Sequence, residues 1–477
     1  MKKIGKSLIL LSSSLMAMGA LSACSGKEND EHTLNIVCLN LGYGRDWIDS
    51  LVADWEEANP GYKVNLSAEA NANATIQSNL YSNDNIDDLY IGNSKSWKKY
   101  ALNELLLPLD DLLQEEVDGV KIVDKVNGEY KKSIYYNGHT YRLPWTSGVP
   151  GIYYNAKMFE QYGWSVPTTY SELVTLCDTI RTANKPVQGA KNAVIKPFCF
   201  TGENMDYFDY ATFTWWAQLA GKEAVDNYLK YESAETFSNS NPAFVALGKA
   251  LDMWWNLFKS HGQSDEEKKL DNYVDGSMGW SNHVAQQSFY NGYSAMMINC
   301  DWLYNETLGY TDNKQFRDGF ELKIMKMPVA DDAVDPKASY IVGEDQYFAV
   351  PASTIKADLA KSFIKLMISD KGVKTFAEKA HGTLAYKSTT KIETEDKYTN
   401  SLIDYMDNAT TRFTNWSDST LFLNNVIDIW TENRLAPYTR IYQSESETPV
   451  ADYLAMISKN ASEQWNNWVK NAGKATN

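Results

Sequence analysis

From residue 33 onward, short apolar runs alternate with stretches that repeat at a helical spacing. Residues 34–39 form a β-rich apolar run, which enters the loop Gly42-Tyr43-Gly44. Residues 45–58 then put Trp47, Leu51 and Trp55 on one helical face, and Asn59-Pro60-Gly61 ends that helix. Residues 62–66 make a second strand, so the chain opens with a β-loop-α-β unit, the start of a parallel α/β lobe whose ligands sit beyond the C-terminal strand ends. A further strand over 88–91 delivers Gly92-Asn93-Ser94 to the same edge before a helix over 96–102. Tyr43, Asn93 and Ser94 are therefore ligand candidates of this lobe, weighed against ordinary loop and turn chemistry.

The middle of the chain changes register at Asn137-Gly138, whose tolerance of positive φ suits a tight hairpin. An extended run to Leu143 stops at Pro144, and Trp145, Thr146, Ser147 and Gly148 follow as a polar-aromatic crossing segment before a strand over 152–154. Thr169 with Glu172 three residues on has the spacing of a capping box. The pattern predicts helix over 157–180 and 213–231, with the Asp- and Tyr-rich loop 204–210 feeding the second. Adjacent residues on a helix diverge, so at most one of Trp215 and Trp216 faces a cleft, while Trp254 and Trp255 are assigned to the core. Loop 276–282 carries Trp280, a helix spans 283–290, and 291–302 runs Asn-Gly turn, small-Met strand, then Asp301-Trp302. A strand over 320–327 ends at Pro328, and 346–350 with a helix over 357–368 return to the first lobe. In the tail, Trp416 stands at the entry to a helix predicted over 421–430, and Trp465 and Trp468 are packing residues.

The pattern Asn137-Gly138-x-x-Tyr141-x-x-Pro144, then Tyr153-Tyr154-Asn155-x-x-x-Phe159 and Gly163-Trp164-x-x-Pro167-x-Thr169-Tyr170-x-Glu172-Leu173, resembles the extracellular solute-binding proteins of ABC-type sugar importers. Residues 291–302 resemble a second motif of that family, departing from it where Cys300 stands in place of a usual glycine. The resemblance covers nearly all of the mature chain. It implies an α/β, two-lobed, type II periplasmic-binding-protein-like fold with three interlobe crossings. Lobe 1 would comprise 33–142 plus 328–370 and lobe 2 would comprise 145–325 plus 372–477, with crossings at the Leu-Pro-Trp segment, at Pro328 and near 370–372. It also implies a carbohydrate ligand, an oligosaccharide above all, contacted by Tyr43, Asn93, Ser94, Trp145, Tyr210, Trp215, Trp280, Asp301, Trp302 and Trp416. Asp301 would accept sugar hydroxyls unless it serves as a helix cap, and Trp302 would stack on a ring face. No catalytic residue, metal or cofactor is implied, and the partners would be the permease subunits of an importer, with the receptor itself a monomer.

Composition agrees with that class. The formal charge of −16 repels nucleic acid and favours a neutral or cationic ligand. With 15 Trp and 30 Tyr against 16 Phe, the chain is rich in rings that join an apolar face to a polar edge, the surface that sugars need. Residues 1–23 read as an export signal, basic at Lys2, Lys3 and Lys6 and then apolar, and Leu21-Ser22-Ala23-Cys24 resembles a lipobox that would acylate Cys24 and leave 24–32 as a membrane tether. Cys38, Cys177 and Cys300 lie in apolar runs as buried thiols; no C-x-x-C pattern involves them or Cys199, and outside the cell disulfides stay open. Trp47 replaces the third glycine of G-x-G-x-x-G, which argues against a phosphate cradle. The competing functions are a secreted glycoside hydrolase, which needs two apposed carboxylates, and a peptide or polyamine receptor on the same scaffold.

Overall fold

The structure is a computed structural model that describes residues 30–474 apart from 41, 95, 312–314, 344–345 and 432–435. The export signal, Cys24 and most of the tether lie outside the described residues.

Two sheets organise the chain. The first has the order Lys63–Glu69, Thr33–Leu39, Leu89–Gly92, Tyr347–Ala349, Leu143–Pro144. Its first three strands are parallel, and the last two run antiparallel to their neighbours. Helix Asp46–Ala58 covers it, burying Trp47, Ile48, Leu51 and Trp55, which is the face its spacing predicts. The second sheet has the order Lys196–Cys199, Ser294–Asn299, Gly151–Asn155, Leu322–Met325. Its first pair is parallel, and Gly151–Asn155 runs antiparallel to both neighbours. All six residues of Ser294–Asn299 are buried, as an inner strand covered on both faces must be.

The hydrophobic interior divides accordingly. One cluster gathers the first sheet with Trp47, Trp97, Phe363 and Phe376 and reaches over to Met297 and Leu303; the other gathers Trp215, Trp216, Trp254 and Trp430 around the second sheet. Trp302 packs against both.

Local signals fare well. Thr169 and Glu172 form the expected capping box. Cys38, Cys177, Cys199 and Cys300 are buried free thiols. Long helices fare less well, because turn residues inside them win over periodicity. Predicted helix 213–231 is two helices, Asp209–Ala220 and Lys222–Tyr228, broken at Gly221 with φ +78°. Predicted helix 157–180 is likewise split into Ala156–Tyr162 and Tyr170–Ala183. Of the helix expected over 421–430, only Thr420–Leu423 forms.

The passages between the sheets also differ from expectation. Residues 145–150 lead from the first sheet to the second, as the Leu-Pro-Trp segment suggested. Pro328 is not such a passage. Its carbonyl accepts from the indole of Trp215, and the following strand Ala338–Tyr340 pairs with Thr411–Phe413 and packs on helix Asp209–Ala220. The chain next joins the first sheet only at Tyr347–Ala349. Nor does the chain leave the first lobe at 370–372: helix Asp370–Ala380 buries Val373, Phe376 and Ala377 and lies along helix Asp46–Ala58. These connecting segments run side by side, Gly148 bridged to Val342 and Thr146 to Leu384.

Candidate functional site

The strand ends of the two sheets face each other along a seam. From the first sheet comes Tyr43 and from the end of Ser294–Asn299 come Asp301 and Trp302, joined by the hydrogen bond from Tyr43 to Asp301; Asn93 and Ser94 follow strand Leu89–Gly92. The loop before Tyr43 can reach the seam because Gly42 adopts φ +68° and lacks a side chain: a Cβ there would lie 2.9 Å from the Cβ of Trp302.

Trp302 is half-buried, and aromatic rings surround it. Tyr43, Tyr207 and Tyr210 stand 6.3, 6.2 and 6.3 Å from it by centroid. Tyr207 and Tyr210 are themselves stacked at 5.0 Å. Tyr207 lay in the Asp- and Tyr-rich loop noted in the sequence, but nothing there separated it from its neighbours. A ring cluster with one half-open indole can take a flat C–H face while tyrosine hydroxyls serve its rim.

Asp301 is fully buried. Its Oδ1 accepts from the Tyr43 hydroxyl at 3.0 Å, from Val149 N at 3.3 Å and from the Cys300 thiol at 3.2 Å. Burial outweighs these bonds and pushes its carboxyl up to about 6. It does not cap the next helix; Trp302 occupies the N-cap of Leu303–Leu308. One turn on, Glu306 accepts from Gln286 Nε2 at 2.5 Å, Gln286 Oε1 in turn accepts from Tyr310, and burial pushes Glu306 up to about 7. Sequence pattern gave no reason to single out Glu306, since an acid on an exposed-looking helix is usually solvated.

A second contact closes the seam elsewhere. Trp97 of the first lobe stacks on Trp416, and the Arg142 guanidinium lies 4.4 Å from the Trp97 ring. Trp416 is 8% exposed, and its indole N–H donates to Asp418 at 3.0 Å. Trp97 and Arg142 were not foreseen as site residues, because each sits in a stretch that reads as plain helix or strand.

The remaining candidates fall outside the ring cluster. Trp145 is 1% exposed and packs in the first core on Trp47 at 5.3 Å, with Tyr43 and Phe376 beside it. Trp215 is fully buried in the second core, edge-on to Tyr170. Both are corrections to the expectation of a cleft position: each indole follows an apolar neighbour set rather than the edge its motif suggested. Asn93 is exposed and pairs with Asn73, whose Nδ2 donates to it at 2.5 Å; Ser94 is half-buried and its hydroxyl accepts from Ser96 N. Trp280 is half-buried, and its carbonyl accepts from Thr201 Oγ1 and Glu203 N. Among the described residues no cluster of His, Cys, Asp or Glu could hold a metal ion, and no helix is long and apolar enough to cross a membrane.

Comparison with known proteins places this geometry in context. The chain is 23% identical over 293 residues to the Multiple sugar-binding protein of Streptococcus mutans, covering 60% of this chain and 63% of that one. It is 25% identical over 389 residues to the Diacetylchitobiose binding protein DasA of Streptomyces coelicolor, covering 78% and 79%. Among solved structures, one from work on xylan utilization by Caldanaerobius polysaccharolyticus superposes with a TM-score of 0.66 at 17% identity over 90% of this chain and 99% of that one. RafE in complex with raffinose does so with a TM-score of 0.60 at 18% identity, over 90% and 99%. These neighbours share the two-lobed fold. Residues 42–374 match the sequence model of the bacterial extracellular solute-binding protein, and the chain belongs to that family.

Proposed function

We propose that this protein is a carbohydrate receptor that takes an oligosaccharide between its two lobes and delivers it to an ABC importer, held at the outer face of the membrane by acylation of Cys24. The observation that carries the reading is Trp302, half-open at the junction of both hydrophobic cores and ringed by Tyr43, Tyr207 and Tyr210. An indole face flanked by phenol hydroxyls meets both needs of a sugar, a C–H face to stack and hydroxyls to pair. The relatives whose names give a ligand bind sugars or chitobiose, which supports the class without fixing the glycan. Ligand bound to both sides of the seam would favour the closed form by its extra contacts, with no chemical step. In this reading Asn93, Ser94 and Trp280 supply rim contacts along the same edge, and the protein acts as a monomer.

Isothermal calorimetry of the mature protein against xylotriose, raffinose, maltotriose and diacetylchitobiose tests the reading. Saturable binding of at least one is expected. Silence across the panel, together with heat from a polyamine or peptide, would transfer the scaffold to the other ligand class, and release of reducing ends from a polysaccharide would make it a hydrolase.

A further inference from the structure

The carboxyl group of Asp301 gathers chain segments that are remote in sequence. Tyr43, from the loop after the first strand, donates its hydroxyl at 3.0 Å, and Val149, on the passage between the sheets, donates its amide at 3.3 Å. On the other oxygen lies the backbone of the segment after helix Asp370–Ala380: a Cβ on Gly382 would sit 3.0 Å from Oδ2 and 2.7 Å from Tyr43 Cε1. The main-chain carbonyl of Asp301 accepts from the Tyr398 hydroxyl at 2.9 Å, so helix Lys397–Asn408 is tied in as well. Neighbouring bonds knit the same segments together. Ser147 N donates to Thr383 O at 3.0 Å, Thr383 Oγ1 returns to Ser147 O at 2.5 Å, and Tyr153 donates to Val149 O at 2.7 Å.

This is the wiring of a joint. The group is fully buried, whereas the half-open surface beside it belongs to Trp302. Tyr43 rides on the first sheet and Asp301 on the end of an inner strand of the second, so the lobes cannot separate without breaking their hydrogen bond. Separation also hydrates a carboxyl that closure keeps dry.

We propose that Asp301 is a positioning residue for lobe closure, acting through Tyr43, Val149 and the Gly382 backbone and making no contact with the ligand. The proposal rests on the two-lobed receptor reading and assigns the sugar face to Trp302 alone of this pair.

Closure then takes up protons. The groups facing Asp301 are Tyr43, Cys300, Tyr153 and Tyr398, all neutral at ordinary pH because burial raises each of them, with Glu306 and Tyr207 on the far side of Trp302. His381, next to Gly382, is engaged by Asp396 and Thr399. Among the described residues no cation pairs with Asp301. A carboxyl buried this way holds its proton to higher pH closed than open, so acid favours closing.

The test is small-angle scattering of the mature chain without sugar, from pH 7.5 to 5, for wild type, Asp301→Asn and Tyr43→Phe, with Gly382→Ala as a variant that leaves both side chains intact but wedges a methyl between them. Wild type is expected to shrink as pH falls. Asp301→Asn should lose most of that response, and Gly382→Ala should be larger than wild type throughout. Calorimetry at pH 7.5 with two sugars that bind wild type completes it: Tyr43→Phe should weaken both by about the same factor, roughly ten- to a hundredfold for a hydrogen bond to a charged group, while Asp301→Asn, the neutral isostere, should shift both by one common factor in the direction that acid shifts wild type. A wild-type radius indifferent to pH, an equal response in Asp301→Asn, or a change in the ratio of the two affinities on Asp301→Asn would overturn the proposal. If no sugar binds, the receptor reading fails, while the scattering series still decides the role of Asp301 in closure.

Discussion

Trp97 and Trp416 lie face to face across the seam, their ring centroids 6.3 Å apart and their planes 20° from parallel, with the Arg142 guanidinium 4.4 Å from the Trp97 ring and 5.5 Å from the Trp416 ring. Lys98 Nζ adds a hydrogen bond from the first lobe, donating to Leu423 O at 3.1 Å. A stacked, desolvated aromatic pair contributes about 0.5–1.5 kcal/mol beyond its buried area, and a buried cation–π contact about 2 kcal/mol more. Trp416→Ala is therefore expected to weaken sugar affinity by about ten- to a hundredfold through faster release, because the closed form loses a latch. Stopped-flow fluorescence reads the off-rate directly; an unchanged off-rate would remove Trp416 from closure.

Trp302 and Trp215 should respond in opposite ways to the same truncation. Trp302 is half-open, so Trp302→Ala is expected to abolish most sugar binding while moving the unfolding midpoint little. Trp215 is fully buried with its N–H on Pro328 O, so Trp215→Ala should cost about 3–5 kcal/mol of stability. Urea unfolding beside calorimetry separates the two, and a stable, non-binding Trp215→Ala would restore it to the cleft.

Titration of the seam acids has a definite sign. Asp301 and Glu306 are raised to about 6 and about 7 by burial, so the folded chain holds their protons to higher pH than the unfolded chain does. Their contribution is fully present below the ordinary carboxylate range near 4 and is lost as pH rises through about 6 to 7. Asp396 runs the other way: hydrogen bonds from His381 and Thr399 outweigh its burial and hold it down at about 2, so its contribution is present above about 4 and is lost as pH falls towards 2. Glu306→Gln should accordingly flatten the fall in melting temperature between pH 5 and 7.5. An identical slope in that variant would show that Glu306 titrates normally.

The first lobe carries a buried ion pair, Lys356 Nζ to Asp88 Oδ2 at 2.9 Å, with both side chains under 5% exposed. Asp88 also accepts from Asn35 N and Thr354 Oγ1, and Lys356 donates to Thr33 O, so the pair pins the first strand to the helix that follows the return segment. Removing one partner strands a charge, and Lys356→Ala is expected to cost about 3–5 kcal/mol. Equilibrium denaturation checks this, and a loss under about 1 kcal/mol would mean that water replaces the lysine.

Much of the architecture could be read from the chain because it rests on contacts within one element. The face of helix Asp46–Ala58, the Thr169–Glu172 box and the buried strand Ser294–Asn299 each follow from the spacing of a few side chains and the need to hide apolar area. The boundaries moved where two signals competed: Pro328 looked like an exit but is followed by a strand that packs on helix Asp209–Ala220, and residues 370–372 looked like a hinge but begin a helix whose apolar face meets Trp47.

The seam was legible only in part. Loop motifs placed Tyr43, Asp301 and Trp302 at strand ends, where the structure brings the three together. Which of 15 tryptophans stay open was beyond them, as Trp145 and Trp302 have equally polar neighbours in sequence, yet one is 1% exposed and the other half-open. Alone, the amino-acid order determined the elements, the two sheets' worth of apolar strands and the resemblance to a family, because periodicity and caps act over a few residues. The three-dimensional packing decided the rest: that Tyr43 reaches Asp301 across 258 positions, that Trp97 meets Trp416, and which indole is left to water, since each depends on how two cores are set against one another.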